Sequence, residues 1–313
     1  MRSIDFHCDV LSKLLNHPDK EFQGEGSVGL DVTYERLKQS DALLQTFAVF
    51  ISPKLGGRIE PILESISLFR TKVLAVEGLH EVRSAADLKH CQDTGKIGAL
   101  LSLEGVDGLQ GHVWLLPLLY ELGVRAAGLT WNNANWAADG IMERRGGGLT
   151  EAGRQFVQTC NELKIIVDVS HLSERAFWDV LAESDRPVVA SHSNARTICN
   201  HPRNLTDSQI RAVIESGGMI GVTYVPWFTA EGDGVTIQQL LLHIDHICEL
   251  GGERHIMLGS DFDGIDSYIN GLAHPGDLPA LREALLNTYS SAQTEGFLSG
   301  NALRYLLQQL PPK

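Results

Sequence analysis

The residues able to do chemistry stand at the ends of apolar runs. In "SIDFHCDV" (3–10), His7 and Asp9 sit two positions apart. Side chains two apart on a strand share a face, so both can look the same way. Further along, "SLEG" presents Glu104, "DVSH" ends in His171, "ASHS" contains His192 and "GSDFDG" carries Asp261. Three imidazoles and three carboxylates, with no cysteine among them, suit Zn²⁺ or a similar borderline divalent ion. A single ion would need three protein ligands; five ligands and a further carboxylate suit two ions sharing a bridge. Glu104 is the candidate bridge, because each of its oxygens can bind one ion. Two ions ~3.5–4 Å apart would activate a shared water and polarise a carbonyl. Asp261 is then left to shuttle protons.

A nucleophilic serine fits less well. Ser170-His171 and Ser191-His192-Ser193 look like serine-hydrolase fragments, but no G-x-S-x-G elbow is present. Adjacent residues on a strand also face opposite ways. Ser191 and Ser193 read as turn residues or supports of the histidines. Asp263 reads as a loop residue that holds backbone. Tyr224, Trp227 and Phe228 read as pocket lining or packing.

The elements that must position this set alternate regularly. Apolar, β-branched runs at 3–10, 43–50, 96–105, 124–131, 164–171, 187–192, 217–225 and 255–262 predict eight strands. Amphipathic helices are predicted at about 59–77, 150–163, 173–184, 206–216 and 236–250, two of them opening on capping-box spacing, Thr206…Gln209 and Thr236…Gln239. Strand–helix alternation implies parallel pairing through right-handed crossovers. Eight such units predict one α/β domain over 1–313, a (β/α)8 TIM barrel, whose reactive groups collect at the C-terminal strand ends. The rival open doubly wound sheet lacks its Gly-rich phosphate turn, since "HCDVLSKLL" follows the first strand.

Composition narrows the class. A net charge of −13, from 26 Lys+Arg against 39 Asp+Glu with no basic stripe, argues against nucleic acid or an anionic membrane as partner. Five scattered cysteines without a CxxC are not a disulfide framework. With no leader-like start, no apolar run near the ~18 residues of a membrane helix and no lipid-anchor tail, a cytoplasmic protein is the expectation.

The blocks "DFHCD", "SLEG", "GLTWNNANWAADG", "VDVSHLSERAFWDVL", "VVASHSNARTICNHPRNLTD", "LGSDFDG" and "SGNALR" occur in order along nearly the whole chain. In them the chain resembles the membrane (renal) dipeptidase family of zinc peptidases, within the amidohydrolase-like metallo-barrels. The resemblance implies a zinc dipeptidase in which a metal-bridging hydroxide attacks the peptide bond of a small peptide. It implies that His7 and Asp9 bind one zinc, that His171 and His192 bind the other, and that Glu104 bridges them. Asp261 matches the catalytic aspartate. Arg203, in "HPRN", matches the arginine that receives the dipeptide's C-terminal carboxylate.

One departure matters. The animal enzymes carry a histidine after "LT" that helps bind the scissile carbonyl oxygen; here "LTWNN" places Trp131, Asn132 and Asn133. The indole N–H of Trp131 or the amide of Asn132 could donate in its place, or Trp131 could be an apolar wall. The chain resembles soluble, microbial-type members. Family members are commonly homodimers and tolerate D residues in second position, which extends the expected substrates to L-D dipeptides. Two alternatives stand beside this reading: another amide hydrolase acting on N-acyl amino acids or β-lactam-like bonds, and a non-catalytic metal-binding barrel.

Overall fold

The computed structural model describes residues 1–313, apart from the side chain of Pro53. Nine parallel strands form: β1 (Ser3–Asp5), β2 (Ala42–Phe50), β3 (Leu79–Glu81), β4 (Ile97–Glu104), β5 (Val124–Gly128), β6 (Ile166–Asp168), β7 (Val189–Ala190), β8 (Met219–Val222) and β9 (Ile256–Leu258). Eight of them close on themselves. β1 pairs with both β2 and β9, and β2 pairs directly with β4 from Leu44↔Gly98 to Phe50↔Glu104. The result is the (β/α)8 barrel that the alternation of strands and helices predicts.

All eight predicted runs contain a barrel strand, but all except β2 stop short of the predicted ends. β6 ends at Asp168 and β9 at Leu258, three residues before His171 and Asp261. At these two places the chain leaves the sheet before it reaches the reactive residue, which therefore sits on the loop just above it. β3 was not predicted; it is a three-residue strand lying against Ile97–Ala99 at the start of β4.

Every residue of β4 is buried, and all of β2 except Phe50. This is the pattern of a parallel strand covered on both faces. One layer inside the barrel takes a single residue from most strands, including Ile4, Leu44, Leu100, Ala126, Ile166, Val189, Met219 and Met257. The helix Asn301–Gln309 adds Ala302, Tyr305 and Leu306 to that layer. Its Tyr305 hydroxyl donates to the carbonyl of Pro187, just before β7, so this helix closes the N-terminal end of the barrel.

The predicted helices form at Ile59–Leu68, Glu151–Leu163, Glu174–Glu183, Asp207–Glu215 and Ile237–Glu249. Both predicted capping boxes are made, with Thr206 and Gln209, and Thr236 and Gln239, satisfying each other's free backbone N–H groups. All five cysteines are free thiols. No helix is long and apolar enough to cross a membrane.

Candidate metal centre and active site

The C-terminal strand ends bring the six predicted residues together. Glu104 is the last residue of β4, His7 lies two beyond β1, His192 two beyond β7, and His171 and Asp261 three beyond β6 and β9. Asp9, at the start of the helix Val10–Asn16, makes no capping hydrogen bond and turns instead toward His7.

Glu104 divides the set. Its Oε2 lies 3.6 Å from His7 Nε2, which is also 3.4 Å from Asp9 Oδ2 and 3.9 Å from Asp261 Oδ1. Its Oε1 lies 2.9 Å from His171 Nε2 and 3.7 Å from His192 Nε2. One carboxylate thus faces two groups of ligand atoms with two different oxygens. Asp261 stands with His7 and Asp9, close enough for the three to share an ion.

The hydrogen bonds behind these groups decide which atoms face inward. His171 Nδ1 is 2.9 Å from the amide oxygen of Asn132. An amide oxygen only accepts, so Nδ1 carries the proton and Nε2 presents its lone pair. His192 Nδ1 lies 2.7 Å from the Ser191 hydroxyl, whose own proton goes to Asp168 Oδ2. Nδ1 therefore donates here too, and Nε2 again presents a lone pair. The two Nε2 atoms approach to 2.8 Å, with Glu104 Oε1 beside them. Three acceptors converge with no proton between them. On the other side His7 Nε2 and Asp9 Oδ1 are buried without a hydrogen-bond partner among the described residues. Unpaired buried polar atoms are rare and costly, and divalent cations on the two sides of Glu104 would satisfy them.

The electrostatics agree. Burial, with Arg203 and His7 nearby, pushes the His171 and His192 pKa values well below the ordinary range. Burial and then Asp9 push the Glu104 carboxyl well above its own. Asp261 is raised by burial and by Asp9, against the pull of His7. Burial alone would lower the His7 value, yet Glu104, Asp9 and Asp261 together carry it up to about 10. A carboxyl pushed up and two imidazoles pushed down by burial mark ligand atoms whose charge nothing in the chain balances. Its donors, imidazole nitrogen and carboxylate oxygen, are of the kind that can hold a divalent metal ion.

The backbone is bent to make this site. Three of the six non-glycine residues in left-handed conformation among the described residues are His171 (φ 69°), Asp261 (φ 68°) and Asp263 (φ 66°). Such backbone costs about 1–3 kcal/mol per residue and concentrates at functional sites. Gly264 meets a different demand: a Cβ there would lie 2.3 Å from Asp9 Oδ2 and 2.4 Å from Asp261 Oδ1.

A cavity of about 530 Å³ opens over the set, reached by Trp131, Asn132, Arg203, Trp227 and Phe228. Trp131 packs between the rings of Phe50 (5.1 Å) and His171 (6.2 Å). Tyr224 does not reach the cavity; it is buried against Phe262. Asp263 accepts from the backbone N–H groups of Asp31 and Val32, both at 2.8 Å, as a loop residue would. Arg203 is 4% exposed. One Nη donates to the carbonyl of His192 at 3.3 Å, while its Nε has no partner and no carboxylate pairs with it among the described residues. Burial lowers its pKa to about 10, which still leaves it charged at neutral pH.

Two contributors were not read from the sequence. His201 lines the cavity, accepts the Arg203 backbone N–H at Nδ1 (3.2 Å) and stacks on Phe228 at 4.4 Å. Its place two residues before Arg203 was the available signal. Asp168 supports His192 through Ser191, a partnership 23 residues apart in sequence that only folding creates.

A Klebsiella pneumoniae protein, described as an uncharacterized protein in the pqqA 5′ region, is 35% identical over 263 residues, covering 80% of this chain and 97% of its own. The structure of the dipeptidase AC, a metallo peptidase of family M19, superposes with a TM-score of 0.91 at 29% identity, covering 100% of this chain and 99% of that one. A Rhodobacter sphaeroides metallo peptidase, liganded with a phosphinate mimic of the dipeptide L-Ala-D-Ala, gives 0.90 at 28% identity, covering 99% of each chain. The profile of the family described as Membrane dipeptidase (Peptidase family M19) matches residues 1–310. The chain belongs to that family and is a hydrolase of peptide bonds.

Proposed function

We propose that this protein hydrolyses dipeptides at a centre of two zinc ions. His7 and Asp9 would hold one ion and His171 and His192 the other, with Glu104 offering an oxygen to each group. The carrying observation is the convergence of His171 Nε2, His192 Nε2 and Glu104 Oε1, three acceptors without a proton to share. Two divalent ions at such a site lower the pKa of a shared water and polarise the scissile carbonyl. The protein's own residues do the rest. Asp261, raised by burial, takes a proton from the attacking water and returns it to the departing amine nitrogen. Trp131 and Phe50 exclude bulk water from one side of the cavity.

Arg203 defines the substrate. A buried, charged guanidinium without a carboxylate partner suits an anion brought in by the substrate. A free C-terminal carboxylate one residue beyond the scissile bond supplies it. The Rhodobacter sphaeroides relative, bound to its L-Ala-D-Ala mimic, supports extending the substrates to L-D dipeptides.

The test compares dipeptides with dipeptide amides on metal-reconstituted protein. A hydrogen bond to a charged group is worth ~1.5–3 kcal/mol, so Arg203→Ala should lose roughly ten- to a hundredfold in kcat/KM on dipeptides. The amides should lose far less. Equal losses would make Arg203 a support of its loop and leave the carboxylate anchor unassigned.

A further inference from the structure

The relay behind His192 has a directionality that can be read atom by atom. Asp168 Oδ1 accepts two backbone N–H groups, from Ser170 and Ser191, each at 3.0 Å. Its Oδ2 accepts the Ser191 hydroxyl proton, and the same hydroxyl oxygen lies 2.7 Å from His192 Nδ1. A serine hydroxyl has one proton. Once that proton is given to the carboxylate, the oxygen can only accept from the imidazole.

We infer that Asp168, acting through Ser191, sets the tautomer of His192 and so keeps its Nε2 lone pair available to a metal. Asp168 and Ser191 are positioning residues: neither is among the ligand atoms that converge on Glu104. The partner of the neighbouring imidazole is of another kind, since His171 rests on the neutral amide of Asn132. Outer partners of metal-bound histidines commonly fix the tautomer and raise ligand basicity. Here an anion does so through an interposed hydroxyl. The functional consequence rests on His192 being a ligand; the tautomer itself does not.

A single isosteric change should reverse the relay. In Asp168→Asn the two backbone N–H groups at the Oδ1 position require the amide oxygen there. The amide NH₂ then falls at the Oδ2 position and donates to the Ser191 oxygen. The hydroxyl proton, otherwise left without an acceptor, turns to His192 Nδ1, which then accepts, and the imidazole proton moves to Nε2. No atom is lost and the strand-end contacts at Ser170 and Ser191 remain, so a merely structural role for Asp168 would leave His192 unchanged.

The experiment reads ring-nitrogen chemical shifts of histidine-labelled, metal-free protein, with zinc retention against a chelator measured in parallel. Wild type should show His192 as the Nδ1–H form. Asp168→Asn should show the Nε2–H form and hold the ion at His171 and His192 roughly ten- to a hundredfold less tightly, the usual scale for a lost outer partner. Ser191→Ala should weaken retention similarly, and Ser191→Thr, which keeps a hydroxyl, should restore it. An Nε2–H His192 in wild type, or an Asp168→Asn protein with unchanged tautomer, overturns the inference. An inverted tautomer with unchanged zinc retention would overturn its functional half. Failure of wild type to bind two ions would instead strike the metal-centre reading and leave the tautomer result standing.

Discussion

His192 and His243 are both buried, at 1% and 0% exposure, and both sit among polar partners, yet they are opposites. On the helix Ile237–Glu249, His243 accepts the Ala195 N–H at Nδ1 (3.0 Å) and donates from Nε2 to the Thr229 carbonyl (2.8 Å). Both nitrogens are used, and both by backbone. His192 uses only Nδ1; its Nε2 faces another lone pair and a carboxylate oxygen. Residue type and depth do not distinguish a strut from a ligand. What distinguishes them is whether the second nitrogen has found a complementary partner within the chain.

The largest effect should come from the rim. Asp261→Asn should keep the fold and most of the metal while losing ~10²–10⁴-fold in kcat, the usual contribution of a general acid–base group. Elemental analysis alongside kinetics checks this, and metal lost in step with activity would make Asp261 a ligand. His171→Ala should lower metal content as well as turnover, because it removes one of the three converging acceptors.

His243→Ala should do the reverse. It strands the Ala195 N–H and the Thr229 carbonyl and leaves a cavity, so a stability loss of about 2–4 kcal/mol is expected with metal stoichiometry intact. Urea unfolding measures the first and elemental analysis the second. Loss of an ion in this variant would break the distinction between strut and ligand.

The smallest and finest test uses pH. Burial lowers the His243 pKa from 6.5 to about 4, against weak support from its backbone bonds. Between those values the unfolded chain binds the extra proton and the folded one does not, so stability falls as pH falls. The contribution is complete above about pH 6.5, where both states are neutral, and is lost progressively toward pH 4; a displacement of this size is worth about 3 kcal/mol. In metal-free protein the stability gap between wild type and His243→Ala should therefore narrow as pH drops from 7 to 4.5. A constant gap would mean that the imidazole is not held neutral.

This distinction also marks how far the sequence could be read. His7, Glu104, His171, His192 and Asp261 were legible because each closes an apolar run, and parallel strands of one barrel must present their ends together. Arg203 was legible only through the resemblance of "HPRN". Asp168 was hidden inside "VDVSH", where an acid on a strand gives no sign of its partner. Its meaning lies in Ser191, just past the next strand. β3 escaped for a simpler reason: three residues, "LHE", carry no periodicity. His243 gives no such sign in the sequence; only its two backbone bonds show it to be structural.

The helix that closes the N-terminal end of the barrel has a consequence for synthesis. Ring closure pairs Asp5 with Leu258, and the inner apolar layer also needs Ala302, Tyr305 and Leu306. Contacts this distant in sequence form late, because loop-closure entropy must be met before they contribute. On a ribosome adding ~5–20 residues per second, the strands emerge well before the segment that covers their lower layer. Until that segment emerges the nascent strands carry a greasy floor with nothing to cover it, which makes that floor the surface a chaperone would meet.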